Sequence, residues 1–176
     1  FNGDVNQTAV QSSGKTIAVG AFTRFDTTSV GRIVRLNFDG TLDNTFNSGT
    51  GAANVINSLV VLPNDKIVIG GTFTSYNGIT CNRIAVLNSD GGLDTTFILG
   101  TGFNNAVNIV TTQRDGKILV GGNFTTYMGF TTNRFTRLFS DGTRDSTFVI
   151  GTGFSGVVNE IIQLVDGKLM VGGAFV

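Results

Sequence analysis

Histidine and tryptophan are absent from this 176-residue chain, cysteine and proline occur once each, and only 14% of the residues are charged. Each absence removes a class of chemistry. Without histidine there is no imidazole to act as general base or to ligate a transition metal in the usual way. The lone Cys81 has no partner for an internal disulfide, so the redox compartment is left open. With no imidazole to activate it, Cys81 reads as a small, semi-buried side chain rather than a nucleophile.

Lys plus Arg (12) balances Asp plus Glu (12), and no basic run occurs, so no net field gathers phosphate backbones and nucleic acid is not an expected partner. No stretch approaches the roughly 18 consecutive apolar residues of a membrane span. The opening FNGDVNQT has neither a basic nor an apolar leader region, so no membrane insertion is expected. The chain begins at Phe1, in the middle of the pattern described next, and is expected to be a piece of something longer.

What is present is a turn-rich β composition: 25 Gly, 15 Phe, plentiful Thr and Asn, and 40% apolar residues. Lys15, Lys66, Lys117 and Lys168 recur at a step of 51 residues. Phe22, Phe73, Phe124 and Phe175 keep the same step, as do Arg32, Arg83 and Arg134. So do Asp39, Asp90 and Asp141, each followed by Gly, then Asp43, Asp94 and Asp145, and the Gly-Thr-Gly triplets from 49, 100 and 151. A fixed period without insertions marks a tandem array with units 1–51, 52–102, 103–153 and a partial 154–176, about 3.45 repeats.

Within a unit the pattern predicts four short strands. The first two, such as Ile56–Leu62 and Lys66–Phe73, are joined by Asn64-Asp65 here and by Asp115-Gly116 or Asp166-Gly167 later. That pairing predicts a type I′ turn with both residues at positive φ. The second strand is apolar at consecutive positions (Ile67, Val68, Ile69; Ile118, Leu119, Val120), which requires cover on both faces. A polar stretch of about nine residues leads to a third strand from Arg32, Arg83 or Arg134, and a short edge strand is expected near 42–47. No apolar stripe at helical spacing runs without a Gly, so helices are not expected. The fold class is all-β, a β-propeller built from 51-residue four-stranded blades. A β-solenoid or a sandwich is the rival reading.

The string from Gln113 to Thr125 (QRDGKILVGGNFT), with Asn133-Arg134-Phe135, Arg137-Leu138, Asp141-Gly142, Asp145 and Phe148, resembles the delta-60 repeat. The resemblance covers the whole chain and implies a β-propeller repeat of unassigned function, in bacterial surface or secreted proteins and phage structural proteins. It brings no catalytic residues. Val19 in place of Gly70, Asp65 in place of the hairpin glycine, and Ala52 in place of Phe1, Phe103 and Phe154 depart from the pattern at single turns and contacts.

Several motifs carry two readings. The Gly-Gly pairs at 70–71, 121–122 and 172–173 lack the Lys-Ser/Thr and helix of a phosphate loop and are expected where backbones crowd. Asp39/Asp43 and their repeats offer oxygens to calcium, but the closing bidentate Glu is missing; as turn residues they cap backbone N–H groups. Arg32, Arg83 and Arg134 are expected to pair with a blade aspartate and lock hairpins. Phe22, Phe73, Phe124 and Phe175, with Tyr76 and Tyr127, are expected between blades rather than on sugars. The sequons at Asn6 and Asn123 are chance matches, and Glu160 falls where other units have Gln7, Ser58 and Ile109.

These residues offer little for catalysis and imply no catalytic residue, no metal site and no cofactor. The expected role is non-enzymatic: a structural or adhesive propeller module of a phage tail or fibre protein or a bacterial cell-surface protein, so extracellular, on the cell surface or in the virion. Its partner is a protein or surface receptor, with self-association to complete a ring as a further possibility. The alternative is a lectin-like glycan or small-ligand binder. A ligand site requires residues that break the repeat, and the loops 23–30, 74–82 and 125–133 vary most.

Overall fold

The computed structural model describes residues 1–176 and contains strands, turns and no helix. Unit 1 supplies β1 (Val5–Val10), β2 (Thr16–Gly20), β3 (Arg24–Phe25), β4 (Thr28–Ser29) and β5 (Ile33–Leu36). Unit 2 repeats them as β6 (Ile56–Val61), β7 (Ile67–Gly71), β8 (Ser75–Tyr76), β9 (Ile79–Thr80) and β10 (Ile84–Leu87). Unit 3 has β11 (Val107–Thr112), β12 (Ile118–Gly122), β13 (Thr126–Tyr127), β14 (Phe130–Thr131) and β15 (Phe135–Leu138), and the last residues form β16 (Val157–Gln163) and β17 (Leu169–Ala174).

Each full unit is one antiparallel sheet with its second strand in the middle, in the orders β1-β2-β5, β6-β7-β10 and β11-β12-β15. The fourth strand of each blade shrinks to one bridge, Leu36 to Leu42, Leu87 to Leu93 and Leu138 to Arg144, after which the chain turns. The nine-residue polar stretches fold into the small hairpins β3–β4, β8–β9 and β13–β14.

The core lies between the sheets. One cluster joins Ile17, Val19 and Ile33 of unit 1 to Ile67, Ile69, Phe73 and Leu87 of unit 2. A second joins Val68, Ile84 and Val86 of unit 2 to Val107, Val110, Ile118 and Val120 of unit 3, and a third joins Leu119 and Phe135 to Val158 and Ile161. Ile67 and Ile69 therefore face back and Val68 faces forward, which is why β7 is apolar throughout and buried at all five positions. A blade cannot bury either face alone, so stability resides in blade-to-blade contact. The first strands β1, β6, β11 and β16 touch in succession, and the sheets fan out around them without closing into a barrel.

The turns differ from the sequence expectation in an instructive way. At Asp115-Gly116 only Gly116 has positive φ, and Gly116 N donates to Gln113 O across a three-residue loop. That is a type I turn closed by a left-handed residue, with Pro63 at its first central position in unit 2 and Asp65 in the left-handed place at φ 61°. One extra loop residue makes the type I′ geometry unnecessary here. Type I′ appears instead at Asn77-Gly78 and Met128-Gly129, where two residues link Tyr76 to Ile79 and Tyr127 to Phe130 and both have positive φ.

Candidate functional site

The first strands carry a feature that the sequence reading missed. In β1, β6, β11 and β16 the pairing register skips one residue, and in each case that residue is asparagine: Asn6, Asn57, Asn108 and Asn159. A bulge frees its extra residue from the ladder and re-aims the side chain. Here the amide turns onto the next blade: Asn6 Nδ2 donates to Ile56 O at 2.9 Å and Asn57 Nδ2 to Val107 O at 2.9 Å. Asn108 Nδ2 donates to Asn159 Oδ1 at 2.9 Å. The legible signal is recurrence at the 51-residue step of a residue type that strands disfavour.

Asp43, Asp94 and Asp145 are buried polar groups, and their partners are not Arg32, Arg83 and Arg134 as the spacing suggests. Asp43 Oδ2 receives Arg35 Nε at 2.6 Å and Lys15 Nζ at 2.8 Å, while Oδ1 accepts from Thr45 N and Oγ1. Asp145 is held in the same way by Arg137 and Thr147, and Asp94 by Lys66 and Thr96. Burial pushes the Asp43 carboxyl upward, but the Lys15, Thr45 and Arg35 donors outweigh it and hold it far below the ordinary carboxylate range. Asp145 is brought down to about 2, first by the Thr147 hydroxyl and then, against burial, by Thr147 N and Arg137. Asp39 caps Thr41 N and Oγ1. Both oxygens of Asp43 are thus engaged by hydroxyl, amide and cationic donors, with Oδ1 capping the turn at Thr45.

Arg32, Arg83 and Arg134 sit just before the third strand with φ of 65°, 71° and 70°. From that left-handed position the guanidinium donates to backbone carbonyls: Arg32 to Ala52 O, Arg83 to Thr72 O and Phe73 O, Arg134 to Asn123 O. The expected pairing with aspartate falls to Arg35 and Arg137, three residues on and inside the strand. Arg35 also reaches the next blade, donating to Ser89 O at 2.7 Å beside Gln11 Nε2, which donates to Asp65 O and Ser89 O.

Phe22, Phe73 and Phe124 are fully buried, and Phe175 is half-buried. Tyr76 and Tyr127 are fully buried too, their hydroxyls donating to Gly91 O and Gly142 O at 2.8 and 2.6 Å. The five fully buried rings present no face for stacking on a sugar. Gly70 and Gly121 mark crowding, since a Cβ there would lie 2.4 Å from Val107 Cγ1 and 2.5 Å from Val158 Cγ1. Cys81 is buried, and burial pushes its thiol up to about 11, so it stays protonated at neutral pH. Of the sequon residues, Asn6 is tied to the next blade and Asn123 lies just past β12, its Oδ1 accepting from Arg134; Glu160 is exposed.

Two grooves run along the outer edge of the third strand, between the small hairpin and the segment after the single bridge. The unit 1 groove has a volume of about 340 Å³ and is lined by Val30, Val34 and Leu42 among others. At the matching positions the unit 3 groove, about 370 Å³, has Thr132, Thr136 and Arg144. The hairpin tips Ile79 and Phe130 are exposed.

Sheets that bury nothing alone, stitched blade to blade by bulged asparagines and Asp-centred locks, define a β-propeller repeat array. The β-propeller described as a domain of unknown function, DUF5122, matches three times, at residues 11–46, 62–97 and 113–148, and the chain belongs to that family. No curated protein matches the chain.

Proposed function

We propose that this chain is a non-enzymatic display or adhesive module: a propeller section of a phage tail or fibre protein or a bacterial cell-surface protein, located outside the cell or in the virion. It holds loops toward a receptor or a neighbouring protein subunit. The observation that carries this reading is where the reactive side chains are. The buried carboxylates are locked to Lys and Arg, the tyrosine hydroxyls and the recurrent arginines are bonded to backbone carbonyls, and the one thiol is buried. Exposed side chains that vary from unit to unit include those on the small hairpins, where Thr28, Ile79 and Phe130 occupy one repeat position. A rigid stack with variable tips suits recognition by shape.

The test is immunogold labelling of intact cells or particles that carry the protein, with an antibody against the Tyr76–Ile79 hairpin. Labelling without lysis is expected. Labelling only after disruption would overturn the surface or virion setting. A second reading, a glycan or small-ligand binder, is favoured by the unit 3 groove.

A further inference from the structure

We propose that the groove of unit 3 is a binding site for a small hydroxylated carboxylate of the uronic or sialic acid type. This takes up the second reading above, and it stands independently of the display role.

The argument starts from symmetry. Three groove positions are apolar or a thiol in the first two units and polar only in the third: Val30 and Cys81 against Thr132, Val34 and Ala85 against Thr136, Leu42 and Leu93 against Arg144. All three polar residues line one cavity of about 370 Å³, at the lower end of the range for small-ligand sites. A scaffold gains nothing from breaking its own repeat at three converging positions, whereas a ligand contact needs such asymmetry. The matching groove of unit 1 is nearly as large, so the hollow belongs to the blade and its polar lining belongs to unit 3.

Two of these groups, Thr132 and Arg144, also lack a polar partner. Thr132 is only 6% exposed, and its hydroxyl is buried without a hydrogen-bond partner. Such a group is destabilising unless something bonds to it. Arg114, Arg134 and Arg137 each donate to a protein acceptor, but Arg144 makes neither an ion pair nor a hydrogen bond. Its guanidinium is 5.0 Å from the Phe130 ring centroid, half-buried at the mouth of the groove. A free guanidinium with a planar fork recognises a carboxylate by two parallel hydrogen bonds. Phe148 and Ile150 give the groove apolar surface for the carbon face of a sugar ring, and Thr132, Thr136 and Ser146 give hydroxyls for its edge.

The experiment is calorimetric titration of the whole 176-residue chain with glucuronate, galacturonate and N-acetylneuraminate, with glucose as the uncharged control. At least one acid is expected to saturate a single site, with glucose weaker by about tenfold or more, the effect of one charge-assisted pair. Arg144→Leu and Thr132→Val install the residues that unit 1 carries, so both are expected to fold, and thermal melting verifies it. The first should weaken binding by about tenfold or more and the second by severalfold, with unchanged or higher melting temperature for the second. The methyl resonances of Thr132 and Thr136 should shift on titration, which localises the ligand even if a variant misfolds. Saturation by none of the acids, equal binding of glucose, or undiminished binding by Arg144→Leu would each overturn the proposal. Failure here would leave the display role untouched.

Discussion

Asn57 stands in the bulge of β6, and its Nδ2 lies 2.9 Å from the carbonyl oxygen of Val107, one residue before the bulged Asn108 of the next blade. The bulges of units 1 and 2 thus anchor on the backbone beside the following bulge, Asn108 bonds to the bulged Asn159 itself, and side chains of the first strands tie the register of one blade to the next. Asn57→Ala removes this bond and leaves a partly buried carbonyl without its donor. A loss of about 1 kcal/mol is expected in urea unfolding. Asn159→Ala, at an exposed residue that accepts from Asn108 but donates to no next blade, should cost well under that.

Tyr76 and Tyr127 bond to the carbonyls of Gly91 and Gly142, whereas unit 1 has Phe25 at this position. Tyr76→Phe keeps the packing that unit 1 already tolerates and loses a buried hydrogen bond, at about 1–2 kcal/mol. Phe25→Tyr, placed to reach Gly40 O, should raise the melting temperature. An unchanged melting temperature in both variants would mean that these hydroxyls do not hold the hairpins to their blades.

Gly70 and Gly172 occupy one repeat position but differ in surroundings. A Cβ at Gly70 would meet Val107 Cγ1 at 2.4 Å and Val110 Cγ1 at 2.9 Å, while at Gly172 the nearest atom is Glu160 Cβ at 3.6 Å. Gly70→Ala should destabilise by about 1–3 kcal/mol through overpacking between blades 2 and 3, and Gly172→Ala should be neutral or slightly favourable. Thermal melting of the two variants side by side distinguishes inter-blade crowding from a backbone requirement for glycine.

The carboxyls of Asp43, Asp94 and Asp145 titrate lower in the folded chain than in the unfolded one, where an aspartate has a pKa of about 3.9. Between the two values the unfolded chain binds more protons, so stability rises with pH there and is lost as pH falls toward about 2, the value for Asp145. Acid unfolding is therefore expected below about pH 4. Asp145→Asn should lower the melting temperature at pH 7, where Arg137 and Lys117 lose their counter-charge, and flatten the acid slope. A melting temperature that stays constant from pH 5 to pH 2 would contradict the assignment of these aspartates as locks.

The repeat, the all-β class and the double-sided burial of β7 and β12 were legible because they rest on periodicity and on short-range pattern. Of the candidate sites, the aromatic positions and the Asp turns were readable from the same landmarks. The partner of each aspartate was not. Arg32 and Arg35 lie three residues apart, and only the backbone decides between them. Arg32 is left-handed and outside the strand, while Asp43 N donates to Arg35 O and so lays the carboxylate against that arginine.

The sequence by itself determined the unit and its strands, because strand propensity, turn chemistry and alternation act within a few residues along the chain. It also determined that no single unit is self-sufficient, since consecutive apolar residues demand cover from both sides. Tertiary structure alone decided what the recurrent polar residues do. Which carbonyl a bulged asparagine reaches depends on atoms about 50 residues away, brought near only when one blade stacks on the next.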